Sequence, residues 1–208
     1  NPYNFNNKLV NEKFVSHILK TYGVDFTPFD ISLYQNAFVH KSYCKRKLLE
    51  LEEGTEIVEK PEGALPLQEY DNERLEFLGD SVLNPIVANY LFHRFPDEHE
   101  GFYTRVKNRI VCGEALGKFA KEMGLSEYLI VSRHIEDKCN GRFSVKLLED
   151  TFEAFMGATY LDFNNIPKGT RVHSEFCNMT NTFDTGIAFQ VCEQLFINII
   201  EEHVDFTD

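Results

Sequence analysis

Helical spacing of apolar residues dominates this 208-residue chain, and no run alternates in the manner of a half-buried strand. That pattern predicts an all-α fold. It places helices at roughly Lys8 to Tyr22, Ser32 to His40, Asn72 to Phe95, Tyr103 to Met123, Val145 to Leu161 and Gly186 to His203. Asp30 is expected to cap the second, Pro96 to close the third and Gly124 to end the fourth. The length suits a single domain over 1–208, ending in the helix at about 186–203. Two stretches depart from the pattern: an acidic insert at about 49–70, with Gly54, Pro61, Gly63 and Pro66, and a segment from Asp162 to Asp184. Both read as surface loops.

Composition narrows the setting. No apolar run approaches the ~18 residues of a membrane span, so no membrane partner is expected. Five scattered cysteines, none at CxxC spacing, argue against a disulfide framework and a zinc site, and favour a reducing, intracellular compartment, cytoplasmic or nuclear. The seven histidines form no HExxH pattern, which disfavours a zinc hydrolase. Against 21 Lys plus Arg stand 33 Asp plus Glu, for a net charge of −12. Such a charge opposes a nucleic-acid partner unless basic residues cluster or divalent cations neutralise the acids. The positions of the acids therefore matter more than their number.

Two helical segments place acids on one face. In DNERLEFLGDSVL, starting at Asp71, a helix puts Glu73, Glu76 and Asp80 on one arc, with Leu75, Leu78, Val82 and Ile86 opposite. Gly79 inside this pattern costs about 1 kcal/mol against Ala, which suggests close approach of another element to the backbone. Pro85 removes a backbone donor and should kink the helix beyond the acids. In KLLEDTFEAFMGATYLD, starting at Lys146, Asp150 and Glu153 lie i, i+3 on one face, Lys146 one turn before them and Gly157 one turn after. Like charges so spaced repel even when exposed, and two such faces could come together only around cations. Clustered carboxylates suit hard ions such as Mg²⁺, with Mn²⁺ as a substitute. A solvated helix face is the plainer alternative for either segment alone.

The run NERLEFLGDSVL, from Asn72 to Leu83, resembles the signature of the ribonuclease III family. LLEDTFEAFMGATYLD resembles that family's second acidic motif, and NAFVHKSY, from Asn36 to Tyr43, its first helix. The resemblance covers about 30–162. It implies an all-helical endonuclease that hydrolyses double-stranded RNA as a homodimer, leaving 5′-phosphate and 3′-hydroxyl ends with short 3′ overhangs. By the same resemblance, Glu76, Asp80, Asp150 and Glu153 hold the two metals of a two-metal mechanism. Glu73 and Glu100 match accessory acids, and Phe77 matches the aromatic inserted into the partner subunit. Lys146 matches a catalytic lysine of the eukaryotic, Dicer-like type; a salt bridge to Asp150 is its plainer alternative. Basic residues expected to touch RNA are Lys41 and Arg46, and Arg105, Lys107 and Arg109.

Three departures qualify the resemblance, the first being that the segment from Leu49 to Tyr70 is much longer than the compact connection of bacterial members. Glu149 stands where the family usually has a small residue, adding charge beside the acids. No double-stranded-RNA-binding domain follows Asp162. Either the protein continues past Asp208, as a chain opening at Asn1 rather than Met allows, or the nuclease domain binds RNA alone. A catalytically silent relative that binds RNA or protein as a dimer is the alternative function, disfavoured by the four acids all being present.

Overall fold

Local capping starts several of the helices. The computed structural model describes residues 1–45, 58–164 and 185–207, in which eight α-helices and three 3₁₀ turns make up the regular structure. Helix α1 (Glu12–Thr21) begins where the Asn11 side chain accepts the Phe14 backbone N–H. Helix α2 (Ile31–Ala37) begins at Asp30, whose carboxylate accepts the Ser32 N–H, the predicted cap. Such caps contribute about 1 kcal/mol each. Then follow α3 (Glu73–Arg94), α4 (Glu100–Ile110), α5 (Gly113–Glu122), α6 (Arg133–Lys138), α7 (Val145–Asn164) and α8 (Thr185–His203).

The helix expected over Tyr103 to Met123 is two helices. The chain leaves α4 at Val111 and passes through extended Cys112 before α5 begins. Both helices bury apolar residues in one core, Ile110 from α4 and Leu116, Phe119 and Ala120 from α5, so the periodicity runs across the break. Weak helix formers, Val111 and Gly113, flank it. Gly124, at φ +74°, follows α5 in the left-handed conformation its predicted capping role requires. Helix α6 was not foreseen: it buries none of its side chains and so carries no apolar stripe.

Pro85 does not interrupt α3, which continues to Arg94. Pro85 and Ser81 are both exposed, so the carbonyl left without its N–H partner can be satisfied by water. Buried Val82, Leu83, Ile86 and Val87 hold this stretch against the core. Helix α7 runs past Leu161, so the expected loop does not begin at Asp162. The Asp162 carboxylate accepts the backbone N–H groups of Phe29 (3.1 Å) and Asp30 (2.7 Å), tying the end of α7 to the start of α2. Residues 165–184 of that expected loop lie outside the described residues, as do 49–57 of the acidic insert. Most of the rest of the insert lies at the surface as expected, but it is anchored at one point: Tyr43 donates to the Leu65 carbonyl (2.8 Å), Lys45 N–H to that of Gln68 (2.9 Å), and Ala64 is buried with Tyr3, Val39, Tyr43 and Ile130.

Helices α3 and α7 form the centre. Phe119, Phe152 and Phe196, from α5, α7 and α8, pack on one side with ring centroids 5.8–6.4 Å apart. Tyr34 of α2 meets Phe155 of α7 at 5.4 Å. The two central helices touch backbone to backbone. A Cβ on Gly79 would lie 1.8 Å from the Glu153 carbonyl oxygen, and one on Gly157 would lie 2.2 Å from that of Leu75. Only paired glycines permit this crossing, and the acids sit beside it.

Candidate metal centre

Glu73 and Glu76 occupy the first turn of α3, where unpaired backbone N–H groups and the helix dipole favour negative charge. Asp150 and Glu153 lie on the early turns of α7. The glycine crossing brings the two faces together. One carboxylate oxygen from each of Glu76, Asp150 and Glu153 lies within 4.8 Å of the others. Glu153 is 7% exposed, and the other two are half-buried.

The electrostatics follow from that enclosure. Burial first, then the charges of Asp80, Glu149 and Glu76, push the Glu153 carboxyl up to about 8, against the opposing pull of Lys146. Glu76 is raised by burial and then by Asp150, again opposed by Lys146. A pocket of carboxylates held this close stores repulsion that a cation would relieve. Its donors are all oxygen, the set preferred by Mg²⁺ and Mn²⁺, so these residues fit such an ion.

Asp80 borders this trio rather than joining it. It is exposed, its Oδ1 accepts from Asn84 Nδ2 at 3.2 Å, and its charge acts on Glu153 from outside. Lys146 Nζ lies 2.7 Å from Asp150 Oδ1 and 3.3 Å from Glu149 Oε2, so the salt bridge weighed as its plainer role is present. Those contacts raise the Lys146 ammonium above its usual range. Glu73 is exposed and paired with Lys41 at 2.9 Å, which joins one expected accessory acid to one expected RNA contact. Glu100 opens α4, accepts from Thr104 Oγ1 at 2.7 Å and lies outside the trio.

Phe77 is 77% exposed, beside the acids and off the core face. On α4, Arg105 and Arg109 are exposed and one turn apart, whereas Lys107 lies toward the opposite side of the helix and is half-buried. Arg46 falls outside the described residues.

One neighbour escaped sequence reasoning. His40 is half-buried, and its Nδ1 accepts the Ser42 N–H at 3.2 Å. Burial and Lys41 lower its pKa, while Asp150 and Glu73 pull the other way, which sets it at the rim of the cluster. The HKS motif named this residue, but nothing in the spacing linked it to acids on α3 and α7.

The raised Glu153 carboxyl has a measurable consequence. Its native pKa of about 8 lies above the ordinary 4.5, so between those values the native state holds more protons than the unfolded chain. The Glu153 contribution to stability therefore falls as pH rises through that window. Binding a cation must displace this proton, so Mn²⁺ affinity should rise with pH toward 8, by at most about tenfold per unit. Calorimetry in buffers of different ionisation enthalpy should detect a released proton; affinity independent of pH between 6 and 8 would contradict this.

A family model described as Ribonuclease-III-like matches residues 30–180. A "Probable ribonuclease 3" of Acanthamoeba polyphaga mimivirus is 37% identical over 170 residues, covering 81% of this chain and 30% of that protein. A "Ribonuclease 3" of Listeria welshimeri is 42% identical over 146 residues, covering 70% of this chain and 55% of that one. The chain thus spans from about a third to about half the length of these curated relatives. Among solved structures, the nuclease domain of a Campylobacter jejuni ribonuclease III has the same fold, with a TM-score of 0.64 at 23% identity, covering 95% of this chain and 99% of that one.

Proposed function

This chain belongs to the ribonuclease III family, and on that premise we propose that it is a Mg²⁺-dependent endoribonuclease that hydrolyses double-stranded RNA as a homodimer. The observation that carries this reading is the convergence of Glu76, Asp150 and Glu153, from two helices, within one ion's reach. The proposed products carry 5′-phosphate and 3′-hydroxyl ends with short 3′ overhangs.

Divalent metal, when bound, supplies an activated water and neutralises charge developing on the phosphate. The residues have separate tasks. Glu76, Asp150 and Glu153 would hold the ions, with Asp80 joining from the rim of the trio. Ionised carboxylates offer acceptors only, so they bind and orient rather than donate a proton. Lys146 brings an ammonium beside Asp150, placed to face an anionic phosphate. Arg105 and Arg109, exposed on one side of α4, would grip backbone phosphates, with Lys41, Arg46 and Lys107 as further contacts. A duplex is held through phosphates and 2′-hydroxyls with little reading of sequence. A net charge of −12 weakens this grip, and each phosphate neutralised by Lys or Arg makes affinity fall more steeply with salt.

The test is cleavage of a perfect RNA duplex in Mg²⁺, with EDTA and a single-stranded control. Cleavage of the duplex alone, abolished by EDTA, is expected. Binding without cleavage in both Mg²⁺ and Mn²⁺ would instead favour the silent, duplex-holding relative.

The homodimer has its own expected result. Phe77 leaves a large apolar ring in water, and Phe92, 63% exposed, does the same farther along α3. Burying one such ring contributes about 1.5–3 kcal/mol. Phe77→Ala should therefore weaken self-association by tenfold or more, visible by sedimentation at low concentration. An unchanged dimerisation constant would remove Phe77 from the interface.

A further inference from the structure

We propose that Glu149 is a positioning residue that holds the Lys146 ammonium at the mouth of the acidic cluster, and that the start of α5 is built to seat it. The inference rests on the catalytic reading of that cluster and deepens it. Lys146 is 65% exposed, a long flexible side chain that would sample many rotamers in water. Two carboxylates on its own helix restrain it, Asp150 one turn on and Glu149 three residues on. Asp150 also belongs to the trio, so a cation there competes with Lys146 for its charge. Glu149 lies outside the trio and remains free to keep the ammonium in place.

Glu149 is itself fixed. Its side chain is 20% exposed, and both carboxylate oxygens press against Gly113, the first residue of α5. A Cβ there would lie 2.6 Å from one oxygen and 2.9 Å from the other. Cys112, at the N-cap of α5, provides no side-chain capping bond, and the Glu149 carboxylate lies beside the first residue of that helix, the end whose dipole favours negative charge. A further negative charge here adds to the repulsion on Glu76 and Glu153. The ion pair with Lys146 offsets it, and so does the field of the nearby helix terminus.

Two substitutions separate charge from seat. Glu149→Gln keeps the shape and removes the charge, whereas Gly113→Ala keeps the charge and displaces the carboxylate. Each is expected to lower kcat for duplex cleavage about tenfold with KM unchanged, and to have no further effect in a Lys146→Met background. A second readout needs no turnover: the ¹⁵N–¹H resonance of the Lys146 ammonium, assigned by its loss in Lys146→Met, should broaden in both variants as exchange with water quickens. A role for Glu149 confined to capping α5 would lower stability equally with or without Lys146 and leave the ammonium signal unchanged, which overturns the proposal. So does full activity in Lys146→Met. If the wild-type protein cuts no RNA, the catalytic reading fails, and the ammonium signal still decides whether Glu149 holds Lys146.

Discussion

Glu153→Gln is expected to lower Mg²⁺-dependent cleavage of duplex RNA by about a thousandfold or more while leaving the fold in place. Glu153 is the most buried of the clustered acids, and two helices enclose it. Losing its negative charge forfeits several kcal/mol of the metal's charge stabilisation, at tenfold per ~1.4 kcal/mol. The substitution is mild for the metal-free protein. With its carboxyl pushed up to about 8, Glu153 is largely protonated at neutral pH, and Gln is a near-isostere of that form. Melting temperature without metal should thus be unchanged at pH 7, while the rise in melting temperature that Mn²⁺ or Mg²⁺ brings to the wild type should vanish. Asp80→Ala should also stop cleavage, but it should leave part of the metal-induced rise, since Asp80 borders the trio rather than completing it. Normal turnover by Glu153→Gln would end the assignment of this cluster as the reaction centre.

A second large effect is expected at the helix crossing. Gly79→Ala or Gly157→Ala places a methyl group 1.8 or 2.2 Å from a backbone carbonyl oxygen that no rotamer change can move. Overpacking of this kind costs about 3 kcal/mol or more, because α3 and α7 must separate. For a chain this size that corresponds to a fall in melting temperature of about 10 °C. Cleavage should fall too, since the helices carry the acids. Gly101→Ala is the control: the closest atom to a Cβ there is the mobile Arg105 guanidinium at 3.7 Å, so stability should hold or rise slightly. Equal stability of Gly79→Ala and Gly101→Ala would show that the crossing is looser than the geometry requires.

Legibility varied with the kind of signal. Asp30 and Gly124 declared their roles locally, because a cap depends on the few residues beside it. Gly79 was readable as a place of close approach, yet it did not name its partner; that Gly79 and Gly157 each meet the other's helix emerged only from packing. The break between α4 and α5 was hidden because both bury apolar faces in the same core. Helix α6 was hidden for the opposite reason, having no apolar face. The anchoring of Ala64 and Leu65 was hidden by the Glu, Pro and Gly around them; their contacts are with Tyr43 and its neighbours.

Glu149 marks the limit most clearly. In the chain it is one more acid beside Asp150; in the folded protein it rests against Gly113 and reaches Lys146. Side-chain type and spacing along one helix decide which residues share a face, so the acidic arcs on α3 and α7 belonged to the chain itself. Whether those arcs meet and which acid is buried deepest depend on contacts between residues far apart in sequence. Those contacts are set by backbone packing at the Gly79–Gly157 crossing, and periodicity along a single helix carries no information about them.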